Sequence, residues 1–530
     1  VRRHTLLSGM GLGVFTGVVV LSVLYFGERV AGLPYVPFVL FEWLTRILPG
    51  ALITFGIETM VTVITGLGVG PTSAVAKMAE MTLAVFLMLG GAGLFGLALA
   101  PRRLPRRVLA GVAGGALLFL LTLLAMLQTG GLGPHPFVSL VWLMAVLLGW
   151  GALLGFAIER AAVPEAAGGA APGRRHFLAS FLGAGAALFL AAIGLGRWRS
   201  GRQGASPRGT GVPLGPEATS GPAASPSPEV LAHRTVSAPG TRPELTPVER
   251  FYRIDIDLAP PRVDAASWRL RVDGLVGQPQ ALSLDDLRAL PSVSQVVTLE
   301  CISNRLGGDL ISTGIFTGVP LKILLARVGR RPEGRAVLLQ SADQYFESVA
   351  PEDVDDDRTL LVWAMDGAPL AAEHGFPLRI YIPNRFGMRQ PKWITHLEVV
   401  DEVRPGYWEL RGWNREAIVQ TTSVIDTVGM SMMLGQTETL PVGGIAYSGA
   451  RGISRVEVQV DNGPWVAAQL RVPPLSPLSW VQWRYDWPYV AGRHEFRVRA
   501  YDRAGKLQPI QSRSPHPDGA TGIHELVAHV

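Results

Sequence analysis

Six apolar stretches set the gross architecture of this chain: residues 6–26, 51–69, 82–99, 108–127, 137–158 and 177–195. Each approaches the ~20 residues that a helix needs to cross a bilayer. In lipid only a helix or a closed barrel satisfies every backbone polar group. We therefore read residues 1–198 as an all-α transmembrane bundle. A shorter apolar piece, 36–48, carries Glu42 and Arg46. It fits an interfacial or re-entrant helix, or a short seventh span.

Arginine clusters orient the spans. Arg102, Arg103, Arg106 and Arg107 form one cluster and Arg174-Arg175 another, two spans further on. Basic residues flanking spans stay on the cytoplasmic side. The span at 177–195 then carries everything after it out of the cytoplasm, so the expected location is the cytoplasmic membrane, multi-pass, with the rest of the chain outside. Placing Arg2-Arg3 inside requires seven spans; six put that end outside. Arg174-Arg175-His176-Phe177-Leu178 also resembles a twin-arginine export signal, although an ordinary positive-inside flank has the same form. The formal net charge is +6, with only four Lys among 48 basic residues and no long basic run interleaved with aromatics. That argues against nucleic acid as a partner. Glu58 is the ionisable residue of interest within a span. His4, His135 and His176 fall at loops or ends, which speaks against a bis-histidine haem inside the bundle.

Residues 199–245 are rich in Gly, Pro, Ser and Ala without hydrophobic period, and read as a flexible tether. Residues 246–420 mix short strands and helices without a regular βαβ repeat, an α+β pattern. Ser283 and Asp286 mark a helix start. From 421 to 530 the pattern is all-β. The strand 453–460 runs into an Asp461-Asn462-Gly463 turn, and a sandwich of immunoglobulin-like type is expected.

The only cysteine, Cys301, sits in Thr298-Leu-Glu-Cys301-Ile-Ser-Asn304-Arg305-Leu-Gly307-Gly308. It ends an apolar alternation and is followed by an amide, a guanidinium and a Gly pair. A lone Cys is either a small buried hydrophobe or a single working thiolate. Further along, Asp343-Gln-Tyr345 follows a strand, and His374 and Arg379 flank a Gly/Pro turn. Gln390 and Lys392 stand between a loop and the strand 394–400. His374, Arg379 and Lys392 are all donors, suited to an oxyanion or phosphate. Taken singly, each also reads as a solvated loop charge.

Together these residues resemble the sulfite oxidase superfamily of molybdopterin enzymes, from about Thr246 to the end of the chain. Cys301, Asn304 and Arg305 match the family's Cys-x-x-Asn-Arg run. Phe251-Tyr252-Arg253 matches its Phe-x-Arg cofactor segment, His374 and Arg379 its His-Gly-x-Pro-x-Arg stretch, and Lys392-Trp393 its basic residue before Trp. Asp343 is placed like its acidic cofactor contact. The resemblance implies a molybdenum–molybdopterin cofactor with Cys301 as metal ligand. It implies Tyr252, Arg253, Asn304, Arg305, Asp343, His374, Arg379, Gln390 and Lys392 around that cofactor. Cys301, Arg253 and Trp413 are then the catalytic set. A soft thiolate suits such a metal.

Two positions depart from the pattern. Sulfite-oxidising members have a second Arg where this chain has Leu306, and a Tyr where Trp413 aligns. A sulfite dianion loses a charge-assisted contact there, and a neutral oxo-acceptor such as a sulfoxide gains. No Cys-x-x-Cys-His occurs, so no c-type haem on this chain is expected, and electrons pass to or from a separate partner or the quinone pool. The C-terminal sandwich resembles the family's dimerisation domain and implies a homodimer. Two other classes compete: a catalytically inactive membrane-tethered binding module on the same fold, and a transporter or electron conduit with the soluble half as sensor.

Overall fold

The computed structural model describes residues 2–67, 70, 72–101, 106–129, 136–162 and 235–530. The expected span at 177–195, most of the tether, and Arg102, Arg103, Arg174 and Arg175 lie outside them. The chain forms two compact units, Val1–Leu48 with Lys77–Pro213, and Pro49–Ala76 with Leu214–Val530.

The apolar stretches are helices: α1 (Arg2–Ala31), α2 (Val36–Ile47), α3 (Gly50–Leu67), α4 (Thr72–Leu99), α5 (Arg107–Thr129) and α6 (Pro136–Ala162). Among the described residues, four of them are long and apolar enough to cross a membrane. Helices α2 and α3 pass that test only when taken together, as a broken span or re-entrant loop. Glu58 lies on α3, and its side chain is outside the described residues.

In the first unit glycines bring helix backbones together. A Cβ on Gly111 would lie 2.0 Å from the Gly151 carbonyl oxygen, and one on Gly115 2.3 Å from that of Leu147. Helices α1 and α4 meet the same way at Gly13 and Ala92. Lipid tails are as apolar as Leu, so close van der Waals packing, rather than exclusion of water, holds such pairs. The buried Arg107 guanidinium is satisfied by the carbonyls of Ile158 and Pro101, at 3.3 and 3.2 Å.

The second unit contains a domain of two sheets. Its strands are β1 (Leu270–Gly274), β2 (Gln280–Leu282), β3 (Val293–Glu300), β4 (Ile311–Pro320), β5 (Ala336–Ser341), β6 (Phe346–Val349), β7 (Leu360–Met365), β8 (Ala368–Pro369), β9 (Arg379–Tyr381) and β10 (Ile394–Val400). One sheet runs β2-β1-β10-β5-β6, with β1 and β10 parallel. The other runs β3-β4-β7-β8, with β9 on β7. Between them lies a core of Leu270, Val272, Leu324, Leu339, Leu361, Ile380 and Leu397. Helix α7 (Leu284–Arg288) starts with the expected capping box: Ser283 accepts from the Asp286 N–H, and Asp286 accepts from that of Ser283.

The remaining strands are β11 (Thr422–Val428), β12 (Met432–Leu434), β13 (Thr437–Tyr447), β14 (Ile453–Val460), β15 (Val466–Ala467), β16 (Gln469–Leu470), β17 (Val481–Pro488), β18 (Arg493–Asp502) and β19 (His524–His529). They form two sheets, β11-β13-β17-β16 and β15-β14-β18-β19, whose inner faces share Val442, Val456, Val458, Trp483, Phe496 and Val498. This is a two-layered sandwich. Its segment 476–480 braces β3: Thr298 N–H donates to the Leu478 carbonyl at 3.0 Å, and Tyr447 OH to the Thr298 carbonyl at 2.8 Å.

The reading of 199–245 as a free tether needs correcting at its end. Arg471 donates to the Thr235 carbonyl (2.6 Å), Gln482 to that of Arg242 (2.7 Å) and Trp480 to that of Glu244 (3.0 Å). Residues 235–245 have no helical or strand period, but sandwich side chains hold their backbone in place.

Candidate active site

Cys301 ends β3, where the strand gives way to a tight loop. Its N–H donates to the Leu310 carbonyl at 2.9 Å, and its own carbonyl accepts from Asn304 N–H at 3.0 Å. The Sγ lies 3.0 Å from Ser303 Oγ. The thiol is 8% exposed, among Phe251, Tyr252, Leu299 and Tyr381. Burial raises its pKa; the Ser303 hydrogen bond, and more weakly the Lys392 charge, pull it down. A bound metal cation would replace that proton outright.

Asn304 closes the loop. Its Nδ2 donates to Glu300 Oε1 at 2.9 Å, and its Oδ1 accepts from Leu310 N–H at 3.0 Å. Glu300 was not singled out from the sequence, yet it is buried with one carboxylate oxygen unpartnered, and its pKa is pushed up to about 7 by burial. Arg305 points elsewhere: its guanidinium donates to Thr62 on α3.

Beside the cysteine is a cluster of cations around Asp255, whose side chain has no exposed surface. Arg253 and Lys392 both donate to it, and Lys392 also donates to the Glu373 carbonyl at 3.0 Å. Arg379 donates to the His374 carbonyl (3.1 Å) and lies over the Phe316 ring. Gly375, at φ 108°, makes the approach feasible, since a Cβ there would lie 3.1 Å from the Cβ atoms of both Arg379 and Lys392. Burial lowers the pKa of Lys392, and that of Arg379 to about 10. His374 is pushed down to about 4, by burial and then by Arg379, so its ring is neutral at ordinary pH. Burial, and then Cys301, raise the Tyr252 phenol well above its usual range.

Asp343 is buried on the loop after β5, accepting from Tyr345 N–H at 3.1 Å. Its pKa is raised to about 7 by burial and then by Asp257. Gln390 donates to the carbonyls of Ile382 (3.2 Å) and Arg385 (2.8 Å). Trp413 packs in a different cluster with Ile302, Phe386 and Met388, and its indole N–H is buried without a partner.

The residues can be tested against a phosphate-bearing pterin. Arg253 Nη2, Arg379 Nε and Gln390 Oε1 are all buried without a hydrogen-bond partner. An orphaned buried polar atom is costly. A ligand with anionic oxygens and N–H donors supplies what each lacks, so the donor set fits.

A family model for the oxidoreductase molybdopterin binding domain matches residues 257–408, and one for the Mo-co oxidoreductase dimerisation domain matches 414–514. A putative protein-methionine-sulfoxide reductase subunit YedZ1 from Azospira oryzae is 38% identical over 152 residues, covering 29% of this chain and 56% of that protein. Sulfite oxidase from Gallus gallus is 29% identical over 342 residues, covering 54% and 71% respectively. The solved sulfane dehydrogenase SoxCD from Paracoccus pantotrophus is 23% identical, with a TM-score of 0.48, over 57% of this chain and 83% of that one. The chain thus spans a little over half the length of the first of these relatives. The two matched segments enclose the cysteine loop and most of the donor cluster, so the chain carries a molybdopterin-binding oxidoreductase domain followed by a dimerisation domain and is similar to sulfite oxidases.

Proposed function

We propose that this chain is a membrane-anchored oxidoreductase whose molybdenum is held by Cys301, with its catalytic domain outside the cytoplasmic membrane. The observation that carries this reading is the pair of unpartnered buried atoms on Arg253 and Arg379, in the cation cluster beside the buried cysteine. The bound cofactor supplies two-electron oxygen-atom transfer; the protein supplies binding and electrostatics. Arg253, Arg379 and Lys392 hold the anionic part. Asp255 keeps two of those cations in register, and Gln390 and Asp343 accept N–H groups. Asn304 fixes the loop that presents the thiolate. His374, neutral and tied to the Val248 carbonyl at 3.1 Å, holds its hydrogen-bonding role without adding charge.

The substrate class that fits is a neutral sulfoxide or similar oxide. Leu306 provides no second guanidinium for an oxyanion. The name of the Azospira oryzae relative, a methionine-sulfoxide reductase subunit, supports the same class. Electrons reach the site from a separate partner or the quinone pool, with no haem on this chain. The domains run 1–198, 199–245, 246–420 and 421–530, the last an immunoglobulin-like module that pairs two copies.

The test is elemental analysis of the full chain made in a host that synthesises the cofactor, with Cys301→Ser beside it. About one molybdenum per chain, with a sulfur ligand lost from the metal spectrum of the variant, is expected. A folded chain without molybdenum under those conditions leaves the inactive binding module in its place.

A further inference from the structure

Two side chains of the loop after Cys301 leave the catalytic domain and engage residues 50–76. Asp309 Oδ2 accepts from the backbone N–H of Thr72, the first residue of α4, at 2.8 Å. First-turn N–H groups have no partner within their own helix, and a carboxylate there also meets the positive end of the helix dipole. The residues before Thr72, Gly70-Pro71, have no side-chain acceptor. The cap therefore comes from 237 residues further along the chain. The second engagement is Arg305, which donates to Thr62 on α3. A third contact is backbone on backbone, since a Cβ on Gly50 would lie 2.9 Å from the Arg411 carbonyl oxygen.

Helix α3 carries large apolar residues on its exposed side as well as its buried one. Thr54, Val61 and Ile64 are buried, whereas Leu52, Phe55, Val63 and Leu67 are 52–69% exposed. A helix with protein on one face and water on the other carries polar residues outward. An apolar outer face suits acyl chains instead.

We propose that the loop 304–309 is a docking clamp for this chain's own segment 50–76, fastening the cysteine loop directly to a membrane-embedded helix. The catalytic domain is then held at the bilayer by the residues next to its metal ligand as well as by the tether. This inference rests on the reading of α3 as lipid-embedded, and is independent of whether molybdenum is loaded.

The experiment uses the full chain in detergent with a protease site inserted between residues 199 and 233. After cleavage, the C-terminal piece is expected to co-elute with the membrane piece. Thr62→Ala with Asp309→Ala should raise the released fraction at least tenfold. The Thr62→Ala change alone lies outside the catalytic domain and should act in the same direction, which separates loss of docking from misfolding. Thr62→Cys with Arg305→Cys, treated with a short bis-maleimide, should keep the cleaved pieces joined, with Thr62→Cys alone as control for reaction at Cys301. Free elution of the cleaved wild-type piece, or no crosslink beyond the control, overturns the clamp. Molybdenum per chain, measured on the same samples, reports separately on the cofactor: pieces that stay together without metal would sink the proposed function and leave the clamp standing.

Discussion

Asn304 donates to Glu300 at 2.9 Å across the turn that Cys301 occupies, and the same side chain accepts from Leu310 N–H at 3.0 Å. One amide thus ties the end of β3 to the start of β4, and the cysteine is presented from a loop closed at its base. Glu300 and Asn304 are both buried, at 6% and 7% exposure, so water cannot replace the lost bonds.

Asn304→Ala leaves a buried carboxyl oxygen and a buried N–H unpaired, a cost of about 2–4 kcal/mol. The full chain should unfold at a lower denaturant concentration with an unchanged m-value. Metal content should fall as well, because the loop no longer presents Sγ in one place. Chemical denaturation and elemental analysis check both; Asn304→Asp should recover the bond to Leu310 and lose the one to Glu300.

The buried acids and His374 make opposite contributions to pH dependence in the cofactor-free chain. Asp343 ionises near 3.8 when unfolded and near 7 when folded. Between those values the folded chain holds more protons, so its contribution is fully present below the lower pKa and is lost as pH rises to 7. The size of that loss is at most roughly 4 kcal/mol. His374, at about 4 when folded and 6.5 when unfolded, acts the other way, losing stability as pH falls through that window. Asp343→Asn should therefore match the wild type near pH 4 and exceed it in stability at pH 8. Denaturation curves at the two pH values check the sign. A variant less stable than wild type at pH 8 would show that folding does not raise the Asp343 pKa above its unfolded value.

Local rules carried much of this structure. The capping box at Ser283 and Asp286, the helices at 108–127 and 137–158, and the strand before Cys301 all follow from neighbours within a few residues. The Cys301, His374, Arg379 and Lys392 motifs were visible as donors, and the structure brings them to one place. Asp255 as their shared counter-ion was not visible, because its bond to Lys392 joins residues 137 apart. Nor was the ordering of 235–245, whose partners are side chains of the sandwich. The destination of Arg305 belongs to the same class: nothing in Cys-x-x-Asn-Arg indicates that the guanidinium meets Thr62 on α3.

Gly375 is a local position with a long-range consequence. Its φ of 108° disfavours any L side chain, and a Cβ there would press on Arg379 and Lys392 at 3.1 Å. Gly375→Ala should cost about 1–3 kcal/mol from backbone strain alone. It should also part the two cations, and so weaken cofactor retention more than Gly367→Ala, which also has positive φ but has open space around it. Cofactor remaining after gel filtration, compared between the two variants, checks this.

In the membrane unit the equivalent sensitivity lies where α5 meets α6. A Cβ on Gly111 would be 2.0 Å from the Gly151 carbonyl oxygen, and one on Gly151 2.1 Å from that of Gly111. Neither neighbour is a flexible side chain that can move aside, so the helices must separate. Separation forfeits the dispersion contacts along the whole seam, which have no hydrophobic substitute in lipid. Gly111→Leu should lower stability by about 1–3 kcal/mol, the usual cost of overpacking, and Gly149→Leu, which has open space, should have little effect. Thermal aggregation in detergent, measured for both variants, checks the seam. Equal midpoints would mean that the two helices are held by contacts other than their glycines.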